Sequence, residues 1–151
     1  MKKLLAATAA AALLAGAAGA EDIKIGVILG FTGPLESITP AMGTGAELAM
    51  KEASDSGKLL EGSTVTPVVA DNTCTDAAAS VAAVERLVTT DKINAIMGAD
   101  CSGVTGAILA NIAVPNGIVM ISPSATSPAL STAEDNGLFF RTAPSDARQG
   151  E

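Results

Sequence analysis

Two short segments of the sequence combine hydroxyl groups with small residues. The first is 101–105, Cys-Ser-Gly-Val-Thr, and the second is 122–128, Ser-Pro-Ser-Ala-Thr-Ser-Pro. Hydroxyls and free backbone amides at a helix start can bind a carboxylate, because the backbone dipoles favour negative charge there. Ser102 stands where a helix is expected to begin, so it is a candidate carboxylate ligand or a simple N-cap. The second run is also typical of an ordinary turn stiffened by Pro123 and Pro128.

Residue types that catalysis needs are scarce. The sequence has no histidine, so a serine nucleophile would lack its usual general base. No glycine-rich phosphate loop ending in Lys-Ser or Lys-Thr occurs, and no Gly-x-Gly-x-x-Gly follows the first strand. Asp71, Asp76 and Asp100 are an imaginable cation site, but acids at strand and loop ends are more often solvated or used as caps. We therefore expect no enzyme activity, no metal site and no cofactor.

The first twenty residues have the features of a secretory signal peptide. Two lysines precede an apolar run, and residues 18–20 read Ala-Gly-Ala before Glu21. The apolar run is shorter than the roughly 20 residues of a membrane-spanning helix. Ala17 stands where a lipoprotein would carry its lipid-bearing cysteine. We expect cleavage after Ala20 and a soluble exported product that does not insert into the membrane.

The charge of the chain argues against nucleic acid as a partner. Removing residues 1–20 would take two lysines and no acids from a chain of net charge −7, which leaves −9. Such a surface repels phosphate backbones and anionic lipid, and Lys and Arg form no basic patch. The remaining length suits one compact domain.

Cys74 and Cys101 are the two cysteines of the sequence. An export signal implies an oxidising compartment, where such a pair normally forms a disulfide. Two buried free thiols and half of a metal site are the alternatives. A zinc site lacks further ligands, because there is no histidine and no third cysteine. We favour the disulfide.

Short β-branched apolar runs alternate with helical patterns, which predicts a doubly wound α/β fold: a mostly parallel sheet with helices on both faces. The first helix is expected to begin at a capping box formed by Thr44 and Glu47. Ligands of such sheets bind beyond the carboxyl ends of the strands, here at 31–39, 99–105 and 122–131. The predicted strands are 23–29, 64–70, 93–98, 117–121 and 138–142, and the predicted helices are 44–56, 77–90 and 102–113.

Together, these segments resemble the type I periplasmic binding proteins of the branched-chain amino acid family, which serve ABC importers. The resemblance covers nearly the whole chain after residue 20. It is carried by Asp-Ile-Lys-Ile-Gly-Val at 22–27, Thr-Gly-Pro at 32–34, the Cys74 and Cys101 pair, Ile-Ser-Pro-Ser-Ala-Thr-Ser-Pro at 121–128 and Phe-Arg-Thr at 140–142.

The resemblance implies roles for individual residues. Ser102 would bind the ligand carboxylate, and Ser124 would offer its backbone carbonyl to the ammonium group. Thr126 would contact both groups through its amide and hydroxyl, while Gly103 and Ala125 would line the floor. Ile38 occupies a place where family members often carry an aromatic residue, so the preferred ligand side chain stays open.

The resemblance also implies two lobes that close over a ligand and then dock on a permease in the inner membrane. The expected organisation is a signal peptide at 1–20, an N-terminal α/β lobe at 21–142 and the start of a crossover to a second lobe at 143–151. We expect a periplasmic protein that captures a branched-chain or other aliphatic amino acid, and weak binding or none by this lobe alone. A receptor for small amides or urea, a sensor ectodomain and an exported enzyme are the rival functions.

Overall fold

The computed structural model describes residues 19–59 and 62–149. Most of the predicted signal peptide, residues 1–18, lies outside these ranges, as do residues 150–151 at the end of the predicted crossover. Within the described residues, no helix is long and apolar enough to cross a membrane.

Five parallel strands form one sheet in the order β2-β1-β3-β4-β5. This is one of the two common orders of doubly wound α/β folds, in which the strand order reverses next to β1. The predicted α/β architecture is therefore confirmed. The strands are β1 (Asp22–Leu29), β2 (Thr64–Asp71), β3 (Ala95–Gly98), β4 (Val119–Ser122) and β5 (Phe139–Arg141).

Helices connect the first four strands, and two of them contain a wider π-helical turn. A turn of 3-10 helix precedes β5 and another follows it. The helices are α1 (Thr39–Asp55), α2 (Ala77–Arg86) with its π turn (Leu87–Asp91), α3 (Ser102–Ile108) with its π turn (Leu109–Ala113), α4 (Val114–Asn116) and the 3-10 turns Pro128–Ser131 and Asp146–Arg148.

The first helix begins at Thr39, so the capping box predicted at Thr44 is wrong. The buried Thr39 hydroxyl donates to the carbonyl of Gly30 at 2.7 Å, which ties the helix start to the end of β1. The Thr44 hydroxyl donates to the carbonyl of Pro40 inside the helix. The contact with the end of β1 and Pro40 in the first turn thus mark the helix start, and the capping-box pattern does not.

The two faces of the sheet are covered unequally. Helices α2 and α3 cover one face with the larger core. On the other face α1 packs over β1 and β2, with Val27, Leu29 and Met50 buried between them. Beside α1 the apolar side chains of Val119 and Ile121 are 44% and 42% exposed, which leaves an open apolar strip over β3 and β4.

The two cysteines form the expected disulfide, with 5.4 Å between their Cα atoms. Cys74 lies in the loop after β2 and Cys101 lies directly before α3, so the bond joins two loops at the carboxyl edge of the sheet. The alternatives of free thiols and a half metal site are excluded for this pair, because both sulfurs are bonded to each other.

Replacing both cysteines, as Cys74→Ala with Cys101→Ala, should lower the free energy of unfolding by roughly 3 to 4 kcal/mol, because the unfolded chain regains the entropy of a loop spanning 27 positions. Urea unfolding followed by circular dichroism measures this loss. Reductant should shift the unaltered chain towards the double variant and leave the double variant unchanged. An unaltered midpoint under reductant would contradict a structural role for the bond.

Candidate functional site

Ser102 and Thr126 meet at the carboxyl edge of the sheet, although 24 residues separate them. The Ser102 hydroxyl oxygen accepts hydrogen bonds from the backbone amides of Thr126 and Ser127, each with an N···Oγ distance of 3.1 Å. The loops after β3 and β4 are therefore in direct hydrogen-bonded contact. This is the juxtaposition that the two hydroxyl-rich segments predict.

Ser102 is the first residue of α3, and Cys101 takes the N-cap position without a side-chain capping bond. The N-cap interpretation of Ser102 is therefore wrong. A hydroxyl accepts at most two hydrogen bonds and donates one. The amides of the β4 loop fill both acceptor positions of Ser102, and no described residue accepts its proton. The site thus presents a free hydroxyl donor.

Asp146 supplies a carboxylate on the other side of Thr126. Its Oδ2 accepts the Thr126 hydroxyl proton at 2.9 Å, and its amide donates to the Thr126 carbonyl at 2.9 Å. The segment after β5 therefore folds against the candidate site. A cavity of about 160 Å³ opens here, lined by Thr126, Pro144, Ser145, Asp146, Arg148 and Gln149.

Sequence reasoning missed Asp146 because this acid sits in a polar segment with no motif that distinguishes it from solvated acids. The one local signal is Ser145 before it, whose hydroxyl accepts the amide of Ala147 and caps a 3-10 turn. That signal predicts a turn. It says nothing of the contact with Thr126.

The other predicted site residues lie around this pair in different environments. The Ser124 hydroxyl donates to the carbonyl of Asp100 at 3.0 Å, and no described residue donates to the Ser124 carbonyl. Ala125 is fully buried, and its amide donates to the Ser122 hydroxyl at 3.0 Å. Gly103 is exposed in the first turn of α3, with open space where a side chain would be.

Beneath the site, Asp100 joins the ends of three strands. Its side chain is 3% exposed, and its Oδ1 accepts the Gly30 amide at 3.1 Å and the Asn72 side-chain amide at 2.7 Å. Gly30 follows β1 and Asn72 follows β2. A buried carboxylate is stable only with such donors, because burial without hydrogen bonds is costly.

The neighbouring Ala99 carbonyl anchors the loop after β4 and the first turn of α3. It accepts hydrogen bonds from the buried hydroxyls of Ser122 and Thr105. The hydroxyl-rich run from residue 122 is therefore an ordered loop held to β3 by side chains. The polar floor expected from the sequence is present, and the hydroxyls of Ser122 and Thr105 within it bind a backbone carbonyl.

The three acids considered for a cation each accept hydrogen bonds from different groups of the protein. Asp76 caps α2 by accepting a hydrogen bond from the Ala79 amide, and Asp100 accepts hydrogen bonds from residues at the ends of β1 and β2. Burial would raise the pKa of Asp71, but hydrogen bonds from the Thr32 hydroxyl and nearby amides outweigh it and hold the pKa below its usual value.

Asp100 also approaches the two cysteines, with one potential ligand atom from each residue lying within 4.8 Å of the others. Because the sulfurs share a disulfide, they are not available as thiolate ligands. These groups do not make a metal site.

Residues 22–151 match the sequence model of the periplasmic binding protein family. The chain belongs to this family. It is 34% identical to the Leu/Ile/Val-binding protein of Escherichia coli over 148 residues, which cover 98% of this chain and 39% of that protein. The chain thus spans well under half the length of the curated relatives it matches.

Solved structures of family members share this fold. The branched-chain amino acid transporter substrate-binding protein of Streptococcus pneumoniae, in complex with isoleucine, is 35% identical with a TM-score of 0.73, and the match covers 83% of this chain and 35% of that one. An ABC transporter substrate-binding protein of Desulfitobacterium hafniense, in complex with leucine, is 29% identical with a TM-score of 0.69 and the same coverage. The described residues therefore share the fold of these binding proteins.

Replacing Asp100 by alanine should destabilise the chain by about 2 to 4 kcal/mol, because two buried donors lose their acceptor. Asp100→Asn keeps one carbonyl oxygen and should cost less. Glu134→Ala, which removes an exposed acid, is the matched control. Urea unfolding measures all three, and equal stability of Asp100→Ala and Glu134→Ala would contradict the anchoring role.

Proposed function

We propose that the chain forms the first lobe of a periplasmic binding protein that delivers an aliphatic α-amino acid to an ABC importer. The observation that carries the proposal is the contact of Ser102 with the Thr126 loop, beside the carboxylate of Asp146. It brings a hydrogen-bond donor and an anionic acceptor to the same edge of the sheet. A zwitterion needs both.

The donor side of the proposed site suits a carboxylate. The Ser102 hydroxyl proton is uncommitted among the described residues, and the Thr126 amide lies next to it. An incoming carboxylate would accept the hydroxyl proton and compete with the Ser102 oxygen for the amide. Hydrogen bonds to a charged group are stronger than those between neutral groups, so this exchange is favourable.

The acceptor side suits an ammonium group. Asp146 presents a carboxylate beside the Thr126 hydroxyl, and the Ser124 carbonyl has no donor among the described residues. A neutral amide ligand would form no ion pair with the Asp146 carboxylate. The proposal therefore favours an amino acid over the urea-type ligands, and the names of the relatives favour an aliphatic one.

In this proposal the complete protein has two lobes, and residues 143–151 start the crossover between them. Two observations support it. The chain covers 39% of its relative from Escherichia coli, and apolar side chains lie exposed in the strip over β3 and β4 and at Phe140 on β5, which is 54% exposed. Exposed apolar surface of this kind is typical of a face that other segments cover. Export through a signal peptide at 1–20 would bring the complete protein to the periplasm, where it meets the importer's permease.

The present chain should bind leucine only weakly, with a dissociation constant in the millimolar range, because one lobe supplies part of the contacts. Titration of the ¹⁵N-labelled chain followed by NMR should shift the amides of Ser102, Thr126 and Ser127. 4-Methylpentanoate and 3-methylbutylamine, which each lack one charged group, should shift them less. Tight calorimetric binding, or shifts spread evenly over the surface, would contradict the half-site.

A graft tests the site in a full-length relative. Residues 21–149 would replace the matching segment of the Escherichia coli protein, and Ser102→Ala with Thr126→Ala should weaken leucine binding at least about 100-fold, since two hydrogen bonds to charged groups are lost. Ser56→Ala with Thr90→Ala removes two hydroxyls near the C-terminal ends of α1 and α2, at the opposite edge, and is the control. Calorimetry gives the affinities. An unchanged affinity in the first pair would overturn the assignment of the site.

A further inference from the structure

Arg141 at the end of β5 directs its guanidinium group at backbone carbonyls of the loop that carries Thr126. Its Nη1 donates to the carbonyl of Ser127 at 2.9 Å and to that of Ala125 at 3.3 Å, and its Nη2 donates to the Ser131 hydroxyl. Neither ion pair among the described residues involves this arginine. A partly buried charge is therefore committed to one loop.

The Ala125 carbonyl and the Thr126 amide belong to the same peptide unit. This bond is trans, so its C=O and N–H point in opposite directions. Holding the carbonyl towards β5 therefore turns the Thr126 N–H the other way, where the Ser102 hydroxyl oxygen lies at 3.1 Å. A hydrogen bond at the carbonyl also polarises the peptide and strengthens the N–H as a donor.

We propose that Arg141 is a positioning residue, which sets the Thr126 amide in the orientation that the ligand carboxylate requires. The ligand part of this inference rests on the proposed function. Besides Arg141, the segment at and after the end of β5 holds the loop that carries Thr126 through Thr142. The Thr142 hydroxyl donates to the Pro123 carbonyl at 3.1 Å, and the Thr142 amide donates to the Ser122 carbonyl at 3.0 Å, so neither bond reaches the peptide unit of Thr126. The planar fork of arginine spans two carbonyls at once, which a lysine ammonium does not reproduce.

Amide hydrogen exchange in the ligand-free chain tests the orientation directly. Arg141→Met should accelerate exchange at the amides of Thr126 and Ser127 by about tenfold, while the amides of β3 keep their rates. Arg141→Lys should give an intermediate acceleration and covers the case in which the methionine variant fails to fold. Arg86→Met, which removes an exposed arginine of α2, is the matched control and should change neither amide.

Unchanged exchange at the Thr126 and Ser127 amides would overturn the inference, and so would an equal acceleration across the sheet, which indicates general destabilisation. Full restoration by lysine would contradict the two-carbonyl clamp.

A leucine titration tests the ligand part: Arg141→Met should lose about tenfold in affinity, whereas the control Arg86→Met should not. Undiminished binding would contradict that part. No leucine response in the unaltered chain would instead count against the proposed function and leave the exchange result standing.

Discussion

The carboxylate of Asp100 is the interaction on which the carboxyl edge of the sheet depends. It accepts hydrogen bonds from buried donors at the ends of β1 and β2. The backbone carbonyl of Asp100 accepts a hydrogen bond from the Ser124 hydroxyl in the loop after β4. One residue therefore connects four of the five strands. Because a buried charge without hydrogen-bond partners costs several kcal/mol of stability, any movement of these loops that removes the donors is unfavourable.

From Asp100 the contacts continue outward to the surface in short steps. Ser124 belongs to the same loop as Thr126, whose amide meets Ser102 and whose hydroxyl meets Asp146. Arg141 holds the far side of that loop. Each step joins a different element of the fold, so the polar groups at the edge are fixed by long-range contacts. Preorganised groups of this kind bind with less loss of conformational entropy than groups on a free loop.

Much of the fold was predictable from the sequence because its signals are local. The apolar run of β1 and the helical pattern of α2 need only their own residues. The start of α1 was not, because the capping-box pattern at Thr44 lies inside the helix and the hydrogen bond from Thr39 to the Gly30 carbonyl forms only in the folded chain. Within the candidate site, hydroxyl-rich segments pointed to Ser102 and Thr126. The carbonyl contacts of Arg141 depend on strand pairing between β4 and β5, which no local pattern encodes.

In the proposed site, the contacts of this lobe are all with the charged groups that every α-amino acid shares. Nothing in them recognises a side chain, and Ile38 is 48% exposed. One methylene in an apolar pocket discriminates by only about 1 to 3 kcal/mol. A lobe that contacts only the shared head group would thus accept several aliphatic amino acids with comparable affinity. Selection among them then falls to the surface that closes over the side chain, while rejection of ligands without a carboxylate or an ammonium group stays with Ser102, Thr126 and Asp146.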